Sequence, residues 1–492
     1  KHRPRRPPRA GFSFAPPRVD ISPSAGHNGE IYVSISSHDR GIFMKRNNAF
    51  IAIGLMLFAL FFGAGNIIFP PFLGQHAGTN TVPAIIGFLL TGCGLPLLGV
   101  VTVCWSGKNL QDIAGRVAPW YGVFMVAAIS LTIGPFFAIP RTASTSYEMS
   151  VIPLVGDFGS AGLFAYSLLF FALTWWLAVT PTKLVDRVGK LLTPIMLILL
   201  FALFAAYALH PFGAWQAPTD SRYTDGASAF TAGIMEGYNT MDGLAGLLFG
   251  ILVIQAVRLT GTDDPHGIAR ETTKSGVVAM GFMCIIYVFL AFIGASSVMP
   301  LGVQENGVPI IVGSMSWYFG KIGPALLAVI VMLACLTTSI GLVASVSALF
   351  HTLVPKIPSR VFATVFSLLS CGIANFGLTT IISAAVPVLV FLYPLTIALI
   401  LLTFLNDAFR GSPLVHRTAT LFTFLPAVYD GLRVLGAAPA PLEAFMRALP
   451  LSSYGLAWIP VFAAGLAAGW ALYLAAGRKP SEEYLRDHPD NA

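Results

Sequence analysis

The sequence predicts an all-α polytopic membrane protein with twelve transmembrane helices, and three observations carry that expectation. Of its 492 residues, 55% are hydrophobic and 10% are charged, whereas soluble domains carry roughly 25% charged residues. Runs of about 20 apolar residues, the length a helix needs to cross a bilayer, recur along nearly the whole chain. Two of these runs, the first and the sixth, are interrupted by residues that a continuous helix avoids. That placement is what an inverted five-plus-five repeat produces, with its binding site between the halves.

The expected spans lie at about 47–70, 80–104, 121–147, 161–179, 191–209, 228–257, 276–300, 322–350, 360–375, 378–404, 415–436 and 455–477. Basic residues collect on the cytoplasmic side of a membrane protein. With Met44 inside and the spans alternating, the inner segments hold seventeen Lys and Arg, and the outer segments hold Arg222, Lys321, Arg433 and Arg447. Both termini are therefore expected in the cytoplasm, with residues 44–478 forming one membrane domain and 479–492 a cytoplasmic tail. Residues 1–43 are rich in Pro and Arg and contain no long apolar run. They read as a disordered basic leader, or as upstream sequence with the natural start at Met44; contact with anionic lipid is the lesser alternative.

The first span carries FFGAGNIIFPPFLG, residues 61–74. Gly63 and Gly65 lower helix propensity, Asn66 is polar, and Pro70-Pro71 is expected to end the helix. Non-helical backbone survives in a membrane only where it is buried in protein or lines a cavity. A broken span is therefore a candidate binding site: half-helix N–H groups suit a carboxylate and freed carbonyls suit a cation. Close helix packing through small residues is the competing explanation.

Span three, LTIGPFFAIPRTASTSYE, has Gly134, Pro135 and Pro140 to bend it, with Phe136 and Phe137 placed to wall an apolar pocket. Counted along a straight helix, Arg141 reaches the outer interface, snorkelling beside Glu148. Span six brings Tyr238, Asn239, Thr240 and Asp242 into an apolar stretch, EGYNTMDGLAGLLFG. An acid at that depth is a functional candidate; the alternative is an acid that only props the break open. In span eight, Ala334, Thr338, Gly341 and Ser345 form one small-residue stripe, and Thr337 and Thr338 offer hydroxyls suited to a dehydrated alkali cation.

Several function classes are absent from the sequence. It contains no GxxxxGK[ST] phosphate cradle, no HExxH and no convincing nucleophile–base arrangement. The five cysteines, Cys93, Cys104, Cys284, Cys335 and Cys371, scatter through apolar segments without metal-ligand spacing. An enzyme, a resident cofactor and a nucleic-acid partner are not expected.

FFGAGNIIFPPFLGQHAG, LTIGPFFAIPRTAS and EGYNTMDGLAGLLFGI, in that order, closely resemble the bacterial branched-chain amino acid:cation symporters, the BrnQ or LIVCS family, from about Met44 to Arg478. The resemblance implies membership of the amino acid–polyamine–cation superfamily and a LeuT-type fold. Repeat one would then cover 47–209, repeat two 228–404 and two extra helices 415–477, in a bacterial cytoplasmic membrane. It implies uptake of leucine, isoleucine and valine coupled to sodium. Carried onto this chain, the sodium takes the carbonyls of Ala59, Phe62 and Ala334 and the hydroxyls of Thr337 and Thr338. The substrate carboxylate faces the Gly63–Asn66 break around Ala64 and Gly65, and the ammonium faces carbonyls near Tyr238, Asn239 and Thr240. Proton coupling through Asp242, and an uncoupled facilitator or sensor, are the alternatives.

Overall fold

The structure, a computed structural model, describes residues 49–179 and 183–487, so the tail expected over 1–43 lies outside the described residues. Those residues are all-helical, with no strand among them. In chain order they form α1 (Ala49–Phe61), α2 (Ala64–Ala77), α3 (Thr81–Leu89), α4 (Leu95–Ser106), α5 (Pro119–Leu131), α6 (Ala138–Ser146), α7 (Gly159–Val179) and α8 (Lys183–Leu209). There follow α9 (Gly226–Tyr238), α10 (Asp242–Arg258), α11 (Pro265–Ala295), α12 (Gly307–Phe319), α13 (Gly323–Leu353), α14 (Ser359–Ala374), α15 (Leu378–Phe404), α16 (Pro413–Val434), α17 (Trp458–Ala475) and α18 (Glu482–Asp487). Short helical turns connect them.

Helix covers part of every stretch expected to cross the membrane. By length and hydropathy, seven segments among the described residues are long and apolar enough to span a bilayer, or eight with the bent pair α9–α10 counted as one. Large apolar side chains such as Leu169, Ile198, Leu368 and Leu421 face outward, as lipid requires and water would not.

The two breaks are packed in the same manner. The second span (α3, then α4) runs along both halves of the broken sixth, α3 against α9 and α4 against α10. The seventh span, α11, runs along both halves of the broken first, touching α1 and α2. Each break is thus held by one apolar segment that runs along the helices on both sides of it. Contact between α2 and α11 is very close: a Cβ at Gly74 would lie 1.8 Å from the Ala291 carbonyl oxygen, and one at Gly294 would lie 2.0 Å from that of Pro71. Small residues let membrane helices approach this way, where no hydrophobic drive separates protein from lipid.

Three features depart from the sequence reading. Helix α2 continues through Pro70 and Pro71. A proline cannot bond back to the carbonyl four residues earlier, so those of Asn66 and Ile67 leave the ladder, and tight burial against α11 and α12 holds the helix together. Helix α12, with its start capped by the Asn306 side chain accepting from the Val308 N–H at 2.9 Å, was not anticipated. The third span runs to Val155, well beyond the expected end, and this relocates Arg141.

Candidate functional site

The first break is two residues wide. Phe62 still donates to the Phe58 carbonyl at 2.8 Å, and Gly63 then turns extended (φ −127°, ψ −159°) before α2 begins. The Asn66 side chain reaches back to accept the Gly63 N–H at 2.9 Å. The first amides of a helix have no carbonyl partner within it, so those of Ala64 and Gly65 stand at the positive end of α2. The polar face of Asn66 is fully used: its Nδ2 donates to Asp242 Oδ2 at 2.5 Å and also bonds the Tyr287 hydroxyl. Tyr287 donates to the same carboxylate oxygen at 3.1 Å. Asn66, Asp242 and Tyr287 thereby tie the first break to the sixth and both to α11.

The second break bends the chain by 48° between α9 and α10. Met241 holds the left-handed conformation (φ 67°), which costs a non-glycine residue about 1–2 kcal/mol and here ends α9 so that Asp242 opens α10. Freed carbonyls result. Those of Asn239 and Thr240 accept from Arg141 Nη1 and Nη2, at 2.8 and 3.4 Å.

Arg141 is therefore not a snorkelling surface residue. It is 3% exposed, with its guanidinium 5.2 Å from the centre of the Phe69 ring. The span continues fourteen residues past it, from 141 to 155, or about 21 Å of helix. The chain also leaves helical geometry at Gly134 (φ −90°, ψ −125°), which redirects α6 inward.

These groups enclose one cavity of about 30 Å³, lined by Gly63–Asn66, Arg141, Thr142, Thr240–Asp242 and Thr338, with Leu60, Phe61, Ile133, Ala138, Ala245, Phe249 and Leu342 as apolar wall. That is room for a water or two, so an amino acid enters only as the elements part. Beside it, Thr338 Oγ1 donates to the Phe62 carbonyl at 3.2 Å across α13 and α1. The Thr337 hydroxyl instead turns back to the carbonyls of Leu333 (2.9 Å) and Ala334 (3.1 Å) of its own helix. Ala59 and Ala334 are buried nearby on the same two helices. Among the described residues no cluster of His, Cys, Asp and Glu is arranged to hold a metal; neutral oxygens are what this corner offers.

Not every expected residue lies on the cavity. Phe136 is 39% exposed, and Phe137 packs on the core beside it without lining the cavity. Tyr238 stacks on Tyr393 (ring centres 4.0 Å apart) and faces a separate small cavity with Asp430, Arg433 and Trp458. The Asn239 side chain donates to Glu236 Oε2 at 2.9 Å, leaving only its carbonyl toward Arg141. Arg141, Tyr287 and the walls Phe61, Ile133 and Phe249 join the site only in the structure. A lone tyrosine in an apolar helix carries no local signal, whereas the charge in IPRTAS did.

A family model described as branched-chain amino acid transport protein matches residues 46–475. The chain belongs to this family. It is 43% identical over 420 residues to the branched-chain amino acid permease BrnQ of Bacillus subtilis (strain 168), covering 85% of this chain and 95% of the relative. To the permease BraB of the same strain it is 41% identical over 435 residues, covering 88% and 97%. Among solved structures it resembles MHP1, a nucleobase-cation-symport-1 family transporter in a closed conformation with bromovinylhydantoin bound (TM-score 0.56, 13% identity, covering 89% of this chain and 96% of that one). It also resembles MhsT in complex with L-phenylalanine (TM-score 0.52, 16% identity, covering 85% and 98%). At such identities the likeness is one of fold, the LeuT type. Membership places the chain among membrane transporters rather than enzymes, as a multi-pass protein of the bacterial cytoplasmic membrane.

Proposed function

We propose that this protein imports leucine, isoleucine and valine by sodium-coupled symport with alternating access. The observation that carries the proposal is the meeting of two broken spans over one cavity, with an uncharged oxygen pair, Thr338 Oγ1 and the Phe62 carbonyl, at its edge. The relatives named as branched-chain amino acid permeases supply the substrate class. Twelve crossings with both termini in the cytoplasm complete the reading, supported by the basic-residue asymmetry.

The substrate carboxylate sits at the amides of Ala64 and Gly65, and its side chain lies against Phe61, Ile133, Ala245 and Phe249. Such a wall separates the three substrates poorly, because one methylene is worth about 1–3 kcal/mol. Sodium takes the carbonyls of Ala59, Phe62 and Ala334 with Thr338, and Thr337 joins them when its hydroxyl turns from its own helix. Binding of either ligand then organises the same break, so each raises the other's affinity equally. Leucine titrations of the purified protein in sodium chloride and in choline chloride test this: sodium should tighten leucine binding, and equal affinity in both salts counts against it.

Proton coupling is the second reading, favoured by the buried carboxylate of Asp242 on the cavity wall. Asp242→Asn separates the two. Under sodium symport the variant keeps sodium-dependent uptake at a reduced rate. Uptake driven by a proton gradient in wild type and abolished in the variant would favour Asp242 as carrier.

A further inference from the structure

Arg141 is a buried cation with incomplete bonding. Its Nη1 has a good acceptor in the Asn239 carbonyl (2.8 Å), its Nη2 has only a long contact to Thr240 (3.4 Å), and its Nε has no acceptor among the described residues. A planar fork of donors is the natural complement of a carboxylate, and no carboxylate forms an ion pair with it among the described residues. Its Nη2 lies so near the first break that a Cβ at Gly65 would come within 2.7 Å of it. The guanidinium thus stands between the amides of α2 and the carbonyls that end α9. In doing so it occupies the seat that a substrate ammonium would take.

We infer that Arg141 is a movable carboxylate anchor that exchanges places with the substrate's ammonium group. Without substrate its guanidinium covers the Asn239 and Thr240 carbonyls and keeps the break hydrogen-bonded. An incoming amino acid offers its carboxylate to the guanidinium beside the Ala64 and Gly65 amides, drawing it off, and the ammonium then takes the vacated carbonyls. The exchange gives the guanidinium the acceptor it lacks and leaves the two carbonyls bonded. It also demands both ends of a zwitterion: a ligand lacking the carboxylate cannot displace the arginine, and would bring a second positive charge to the same carbonyls. This inference rests on the amino-acid reading of the site and adds the residue that would enforce it.

The test is calorimetric binding of leucine and of leucinamide, which keeps the side chain and the ammonium but lacks the carboxylate. Wild type, Arg141→Gln and Arg141→Lys are compared as monodisperse protein in detergent. Wild type should prefer leucine by roughly 10- to 100-fold, the range for hydrogen bonds to a charged group. In Arg141→Gln that preference should fall to within a few-fold, because leucine weakens while leucinamide holds or improves. Arg141→Lys should lie between. A glutamine variant that keeps the wild-type ratio, or that weakens both ligands equally, overturns the inference. If the glutamine variant does not fold, the lysine variant decides: an unchanged preference overturns the inference and a reduced one supports it. Failure of wild type to bind leucine would overturn the amino-acid reading itself.

Discussion

Replacing Asn66 by alanine removes three interactions at the join between the two breaks: the cap on the Gly63 N–H (2.9 Å), the bond to Asp242 (2.5 Å) and the bond to Tyr287. At the average of about 0.6 kcal/mol measured for side-chain hydrogen bonds between membrane helices, the loss is about 2 kcal/mol. With the charged acceptor at about 1.5–3 kcal/mol it rises to about 3–4 kcal/mol. The variant should unfold in detergent at a clearly lower temperature. Because Tyr287 donates to the same carboxylate oxygen, the three side chains act as one network. A double-mutant cycle of Asn66→Ala with Tyr287→Phe should therefore show a coupling of at least about 0.5 kcal/mol. A single variant within about 0.5 kcal/mol of wild type, or strictly additive losses, would refute the claim that this network fastens the two breaks together.

Two further expectations concern packing and charge. Gly74→Ala places a Cβ 1.8 Å from the Ala291 oxygen and should cost about 1–3 kcal/mol or more. Gly281→Ala on α11, the helix that Gly74 packs against, where a Cβ meets nothing within 4 Å, should instead stabilise by up to about 1 kcal/mol; melting curves of the pair check the contrast. Near the C-terminus, Glu483 binds Lys108 and accepts from Arg116 Nε at 3.1 Å. Burial alone would raise its carboxyl, but the hydrogen bonds and charges of Lys108 and Arg116 outweigh it and hold the carboxyl below the usual range. A depressed carboxyl contributes stability that is present at neutral pH and lost as pH falls through its folded-state value. Glu483→Gln should accordingly cost about 1 kcal/mol at neutral pH for ion pairs on a partly exposed carboxylate, and the difference should vanish in strong acid; a gap that persists there contradicts the assignment.

Much of the architecture was legible because the membrane makes exceptions conspicuous. Gly63, Gly65, Asn66 and Asp242 stand out in apolar runs, and they mark the two breaks that the fold brings together. The stripe through Ala334 and Thr338 likewise pointed to the face that meets α1, since Thr338 reaches the Phe62 carbonyl whereas the adjacent Thr337 turns back on its helix. What escaped was geometry at a distance. A straight helix would carry Arg141 to the outer interface, but the span is longer and bent, so its charge lands at the second break. Phe136 and Phe137 are neighbours in sequence to a bend whose direction no local pattern sets, and both side chains miss the cavity. Pro70 and Pro71 look like a stop in sequence because their cost is local, while the burial that offsets it comes from α11 and α12.

The central claim, that a cation beside the first break drives amino-acid accumulation, is tested most directly by radiolabelled leucine uptake into liposomes. Inward sodium, inward proton and no gradient are compared for wild type and Thr337→Ala/Thr338→Ala. Concentrative uptake only under sodium, lost in the double variant, is the predicted result. Uptake indifferent to sodium, or a double variant that behaves as wild type, would contradict it.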